Sequence, residues 1–364
     1  MKEFYTSLRI SLLVFQKQVD SYDRALYLTH RKNDASKSNF LYVTHCILTF
    51  DSDMQRILQH VKPERRNKEL IYNPTLPIFW QRSMHFETVE QFLSIFIPFI
   101  VPILRFSGLY RKGLRNATDL KLVTLSIVDS ALPPAFDGFS ILFLSDLHID
   151  GNDRLMAPFC AALDELDVDL CLLGGDYRAR VHGDFLKTIE CLKMALPHIH
   201  SKEGILGILG NHDSWEMIRP LERLGIVMLI NESVKIQRGT ESLWILGVDD
   251  PHYYQCDDYQ KASRGVPDDA FRLLLAHATS VLFNLDSEQP ANFCLCGHTH
   301  AGQICLPLLG PVITHSILKG EFVYGKWDYH GMKGYTTSGV GTSGINVRYN
   351  TRPELVKIVL RRSE

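Results

Sequence analysis

The stretch Ile141-Leu142-Phe143-Leu144-Ser145-Asp146-Leu147-His148-Ile149 decides how the rest of the chain is read. It opens on four consecutive apolar residues, the pattern of a strand buried on both faces. It closes on Asp146 and His148, two positions apart. Side chains alternate across a strand, so continued extended geometry would aim both to the same side where the strand leaves its sheet. An anionic oxygen beside a neutral imidazole nitrogen is the beginning of a transition-metal site.

Four segments downstream look like the remainder of such a site. Gly174-Gly175-Asp176 follows the apolar run Leu170 to Leu173. Its glycines permit a tight turn and a close approach to a ligand. Asp176 has two oxygens and suits a bridge between cations, although a helix cap is the ordinary alternative. Gly210-Asn211-His212-Asp213 follows Ile205 to Leu209. The Asn211 carbonyl is a neutral oxygen donor that adds no further negative charge. His212 beside Asp213 suits proton transfer or phosphate contact, with the carboxylate orienting the ring and raising its pKa. His277 ends the run Phe271 to Ala276, and Cys296-Gly297-His298-Thr299-His300 ends another. Two histidines at i and i+2, with Gly297 clearing space, can aim at neighbouring points.

Taken singly, each of these has a bland structural explanation. Together, Asp146, His148, Asp176, Asn211, His277, His298 and His300 stand in chain order at strand exits, where α/β sheets gather their ligands. Nitrogen and oxygen donors without cysteine favour Mn, Fe, Zn or Co over Ca. Ligands enough for two divalent metal ions, with one carboxylate shared, form an arrangement suited to in-line phosphoryl displacement. A non-catalytic scaffold on an inactive fold is the poorer reading, because no ligand position is lost.

Strand-like runs at 140–145, 169–174, 204–209, 226–230, 234–237, 243–248, 271–276 and 292–296 alternate with helical segments. Arg154 to Leu166, Phe185 to Leu196 and Trp215 to Leu224 have helical spacing. The pattern predicts an α/β domain with helices on the faces of a central sheet. Its net charge of -2 gives no global reason to expect a nucleic-acid partner. Most of the eight cysteines sit inside apolar runs and read as buried free thiols, which favours a reducing compartment. The start has no secretory signal pattern.

Residues 1–90 read as a mainly helical extension of unknown role. Asp51-Ser52 could cap a helix carrying Met54, Ile57, Leu58 and Val61, and the basic run Lys62 to Lys68 reads as a solvated face. Thr88-x-x-Gln91 fits a capping box before the most apolar stretch, Phe92 to Leu104. That stretch is too short to span a bilayer unaided and is broken by Pro98 and Pro102. With Arg105, Arg111, Lys112 and Arg115 behind it, the segment 91–118 suits peripheral membrane or acyl-chain contact. Burial against the rest of the protein is the alternative.

The order Asp-x-His, Gly-Gly-Asp, Gly-Asn-His-Asp, His, Gly-His-Thr-His closely resembles the calcineurin-like metallophosphoesterases, from about Pro133 to the C-terminus. The resemblance implies a four-layer α/β/β/α sandwich over residues 119–364. It implies that Asp146, His148, Asp176 and His300 hold one metal and Asp176, Asn211, His277 and His298 the other. His212 would contact the phosphate and act as general acid, with Asp213 orienting it, while water made acidic by the cations (Mn, Fe or Zn) supplies the nucleophile. Further segments narrow the likeness: Leu132-Pro133-Pro134, Gly247-Val248-Asp249-Asp250, Ala301-Gly302-Gln303, Ser338-Gly339-Val340-Gly341-Thr342-Ser343, Arg348 and Arg352-Pro353-Glu354. These resemble a bacterial branch of membrane-associated phosphodiesterases that includes an alternative UDP-2,3-diacylglucosamine pyrophosphohydrolase of lipid A biosynthesis. That implies a lipid-linked phosphoester substrate and a cytoplasmic location, peripheral on the inner face of the cell membrane. A phosphodiesterase or phosphatase acting on a soluble phosphoester is the alternative.

Overall fold

Short apolar runs become strands here because each fills two cores at once. The computed structural model describes residues 54–71, 102, 104–285, 291–308, 310–311 and 313–363. The chain divides into two units, Met1–Arg56 and Ile57–Glu364, and the elements below belong to the second. They are helix α1 (Pro63–Ile71), α2 (Leu109–Asn116), strand β1 (Lys121–Asp129), β2 (Ser140–Leu144), α3 (Met156–Asp164), β3 (Leu170–Leu173) and α4 (Leu186–Ala195). There follow β4 (Ile205–Gly207), α5 (Ile218–Arg223), β5 (Ile226–Met228), β6 (Glu232–Arg238), β7 (Glu241–Gly247) and α6 (Tyr259–Ala262). The last are β8 (Phe271–Leu275), β9 (Phe293–Cys296), β10 (Gly325–Tyr329), β11 (Met332–Thr336) and β12 (Glu354–Arg362).

Two six-stranded mixed sheets result, in the orders β1-β12-β2-β3-β4-β5 and β10-β11-β9-β8-β7-β6. In the first, β2, β3, β4 and β5 run parallel, and β12 lies antiparallel to β2 but parallel to β1. In the second, β7, β8, β9 and β11 are parallel, with β6 and β10 antiparallel at the edges. The two-residue period of a strand partitions its side chains. Ile141, Phe143, Leu170 and Leu172 meet Leu273, Leu275, Phe293 and Leu295 between the sheets. Leu142, Leu144, Cys171 and Leu173 face Phe159 and Leu163 of α3, Ile189 and Leu192 of α4, and Leu221 of α5. On the far side, Leu274, Cys294 and Cys296 pack with Tyr259 and Ala262 of α6, Val281 and Trp327. The architecture is the four-layer α/β/β/α sandwich.

The strands agree with the sequence reading to within one or two residues where an apolar run marks them. β1, β10, β11 and β12 carry no such run and were not anticipated. The segment Trp215 to Leu224 is a short 3-10 turn followed by α5 rather than one helix. All seven described cysteines are free. Ile57 and Val61 are buried, as their helical spacing suggests. Within the basic run Glu64, Asn67 and Lys68 are exposed as a solvated face requires, but Arg65, at its centre, is fully buried. Among the described residues no helix is long and apolar enough to cross a membrane. Thr88, Gln91 and nearly all of Phe92 to Leu104 lie outside the described residues, as does most of 1–90.

Candidate metal centre

The strand exits of both sheets meet along one edge. β2 ends at Leu144, so extended geometry does not carry Asp146 and His148 to one side as the alternation predicts. Both residues instead turn into the left-handed region, with φ of 53° and 37°. Asp176 (56°), His298 (72°) and His300 (50°) do the same. Each such turn at a non-glycine residue costs on the order of 1 kcal/mol. Backbone bonds between the exits hold them there: Asp146 N donates to Gly175 O and His148 N to Asp176 O, both at 3.0 Å. Gly297 is required because a Cβ would fall on Ser145 Oγ and Asp146 Oδ2.

Ligand atoms converge in groups whose members lie within 4.8 Å of one another: Asp146, His148 and His300; Asp176, His277 and His298; and His148, Asp176 and His212. Asp176 belongs to both sides. Its Oδ2 stands 3.4 Å from His277 Nε2 and 3.7 Å from His148 Nε2. Asn211 Oδ1 lies 3.0 Å from His277 Nε2 and 2.9 Å from His298 Nδ1. His148 Nε2 and His300 Nε2 are 3.2 Å apart, and Asp146 Oδ1 is 3.5 Å from the latter.

Behind this front, the opposite ring nitrogens are held by backbone carbonyls. His148 Nδ1 faces Arg178 O at 2.8 Å, His277 Nδ1 faces Gly174 O at 2.8 Å, and His298 Nε2 faces His315 O at 2.7 Å. Such outer bonds fix each ring's tautomer and turn its lone pair inward, as a metal ligand requires. Burial holds His298 and His300 well below the usual histidine range, with His252 adding to the first and His148 to the second. Burial also works against a charged His277, yet Asp176 and Asp146 lift it to about 10. Burial would raise Asp176 as well, but His277 and His212 hold it well below the usual carboxylate range. A shared anionic oxygen among inward-facing imidazoles and one neutral amide oxygen fits hard or borderline divalent cations.

All nine sequence-nominated residues come to this edge, but two have different surroundings from those expected. Asp213 does not touch the His212 ring. Its carboxylate accepts Asp176 N at 2.8 Å, Tyr177 N at 3.0 Å and Gly210 N at 2.9 Å, tying two exit loops together. The His212 ring is oriented instead by Ala179 O, 2.9 Å from Nδ1. Nor is the His212 pKa raised: burial takes it down to about 3, although Asp176 pulls the other way.

Sequence reading gave no loop-holding role to three arginines, although Arg348 stood among the residues that narrow the likeness. Arg178 donates to the carbonyls of His212, Val181 and Gly183. Arg348 donates to Gly341 O at 2.6 Å, Ser338 O at 2.7 Å and His300 O at 3.3 Å. Arg65 donates to Gly210 O and Asp213 O. For Arg65 only a partial signal was available: Arg65 and Glu69 stand four residues apart and so share one face of α1.

Residues 139–302 match the calcineurin-like phosphoesterase family. The chain is 31% identical over 250 residues to the phosphodiesterase YaeI of Escherichia coli, covering 64% of this chain and 84% of that protein. It is 27% identical to the metallophosphoesterase YkoQ of Bacillus subtilis, covering 72% of this chain and 95% of that one. A transmembrane protein with metallophosphoesterase domain from Danio rerio is 28% identical, over 69% of this chain and 60% of its own length.

Proposed function

We propose that this chain, which belongs to the calcineurin-like phosphoesterases, cleaves a phosphodiester or pyrophosphate bond of a lipid-linked nucleotide, with UDP-2,3-diacylglucosamine as the substrate. The family makes it a divalent-metal-dependent phosphoester hydrolase. Asp146, His148, His300 and Asp176 would hold one cation, and Asp176, Asn211, His277 and His298 a second, with Mn, Fe or Zn suited to these donors. Such cations supply Lewis acidity towards phosphate oxygens and lower the pKa of water. The observation that carries this reading is the placement of Asp176 in ligand groups on both sides of the site.

The remaining work falls to the chain's own groups. As water adds to phosphorus, the ester or anhydride oxygen departs and takes up a proton. His212 Nε2, the ring nitrogen not turned towards Ala179 O, lies 3.9 Å from Asp176 Oδ2 and faces the same space. A phosphate's negative charge beside that nitrogen would favour its protonation, so His212 can donate to the phosphate or to the leaving oxygen.

The substrate class is supported by the surface next to the site. α2 docks through Gly113, where a Cβ would lie 2.7 Å from Val347 Cβ and from the Tyr349 ring. Tyr349 Oη donates to Leu109 O at 2.9 Å, and Cys305 N donates to Tyr349 O at 2.9 Å. Leu109, whose carbonyl takes that bond, Phe106 three residues before it, and Leu306 and Leu308 of the hairpin Cys305–Pro311 are exposed. Arg105, Arg111, Lys112 and Arg115 accompany them. Exposed apolar side chains edged by basic ones favour an anionic lipid surface. We take this face to make a peripheral contact with the inner side of the cell membrane.

The test is turnover of UDP-2,3-diacylglucosamine by purified protein, beside a soluble aryl phosphodiester and an Asn211→Ala control. Release of UMP that needs Mn²⁺ and disappears in the control supports the lipid pyrophosphatase reading. Cleavage of the aryl diester alone would move the substrate to a soluble phosphoester.

A further inference from the structure

The loop that carries Asn211 and His212 is held by an element outside the family-matched segment. Arg65 of α1 is fully buried, and its Nη2 reaches Gly210 O at 3.1 Å and Asp213 O at 2.6 Å. These two carbonyls bracket Asn211 and His212. Nη1 pairs with Asp249, Nε lies 3.2 Å from Glu69 Oε1, and the Tyr254 ring centroid lies 4.1 Å from the guanidinium carbon. One turn along α1, Glu69 accepts Ser214 Oγ at 2.6 Å and Trp215 N at 3.1 Å. One stripe of α1 therefore grips residues 210–215 at four points.

Burial opposes the guanidinium charge, and Asp249 and Glu69 more than restore it. A buried ion pair contributes little net stability and is costly to break. Its placement on two site-loop carbonyls accounts for it better than stability does. The planar fork matters as much as the charge, because a lysine ammonium has neither the reach nor the donor spread to serve a carboxylate and two carbonyls together.

We propose that Arg65 is a positioning residue of the hydrolytic site. By holding Gly210 O and Asp213 O it keeps Asn211 Oδ1 between the His277 and His298 nitrogens and keeps His212 Nε2 towards Asp176. The roles of Asn211 and His212 rest on the phosphoesterase reading above; the clamp itself does not.

The experiment compares full-length wild type with Arg65→Lys and with the pair Arg65→Met and Asp249→Asn. The double variant removes the Arg65 and Asp249 charges together and leaves Glu69 with the Ser214 Oγ and Trp215 N donors, so a folded protein is expected even where the lysine variant is unstable. Hydrogen exchange is followed in peptides spanning 208–216, with 141–149 as reference, alongside calorimetric Mn²⁺ titration and aryl phosphodiester hydrolysis. Exchange in 208–216 should accelerate about tenfold or more in both variants while the reference is unchanged. One Mn²⁺ binding step and kcat should each fall about 10–100-fold, the range for lost outer support of a metal ligand, with KM little altered. Folded variants showing wild-type exchange in 208–216, both Mn²⁺ steps intact and an unchanged kcat would overturn the proposal. If wild type itself showed no Mn²⁺-dependent hydrolysis, the functional reading would fail, and the exchange result would still decide the clamp.

Discussion

Asp213 commits both carboxylate oxygens to backbone N–H groups of Gly210, Asp176 and Tyr177. An asparagine there would present an NH₂ to a donor that needs an acceptor. Asp213→Asn should therefore cost about 2–3 kcal/mol in urea unfolding. A loss under about 0.5 kcal/mol would show that the loop tie matters little. Asp169 gives a pH-dependent counterpart away from the site. It accepts Ser140 N and Ser140 Oγ at 2.8 Å each, Arg238 Nη2 at 2.8 Å and Lys202 Nζ at 3.0 Å. Burial alone would raise its pKa, but the bonds from Ser140 and Lys202 outweigh that and bring it to about 2. A folded value below the unfolded one means stabilisation that is present above about pH 4 and is lost as pH falls towards 2. The Tm difference between wild type and Asp169→Asn should be largest above pH 4 and shrink on acidification. A gap that stays constant down to pH 2 would contradict this.

β2 shows what an element needs to be readable. Ile141, Leu142, Phe143 and Leu144 are all buried and alternate between two cores. Removing the Phe143 ring from between the sheets should cost about 3–5 kcal/mol, measured as the unfolding free energy of Phe143→Ala. β3, β8 and β9 are legible for the same reason, and the residues after them mark the site because parallel strands point their carboxyl ends one way. β12 is not legible, because Leu355, Val356, Ile358 and Leu360 are interrupted by Lys357 and its place between β1 and β2 is set by pairing across most of the chain. β1 is an edge strand with Leu122 and Val128 exposed, so no clean pattern separates it from a loop. The gathering of these residues at one edge was readable from residue types and positions, whereas the left-handed turns at Asp146, His148 and Asp176 were not. They depend on backbone bonds between separate loops. Arg65 hid in a charged run, because burial of a guanidinium is decided by Asp249 and the carbonyls it meets rather than by its neighbours in sequence.

Taken whole, the molecule places a buried cluster of carboxylate, imidazole and amide donors on one edge of a double-sheet sandwich. α1 holds one loop of that edge, and α2 docks beside Arg348, whose side chain holds another. Tyr349 bonds to both Leu109 and Cys305, and the hairpin between Cys305 and Pro311 leads on to His315, whose carbonyl holds His298. Replacing Phe106 and Leu308 by serine should reduce co-sedimentation with anionic vesicles severalfold and slow a lipid-linked substrate more than a soluble one. Unchanged sedimentation would rule out the membrane contact. Titrating Mn²⁺ into chelator-treated wild type and Asp176→Ala decides whether Asp176 is shared by two cation sites that run phosphoester hydrolysis. Aryl phosphodiester hydrolysis and bound metal are read together. Two ions bound and hydrolysis restored are expected in wild type, with at least about 100-fold lower activity and a lost binding step in the variant. Full hydrolysis by the chelated protein, or equal restoration of the variant, would contradict the shared site.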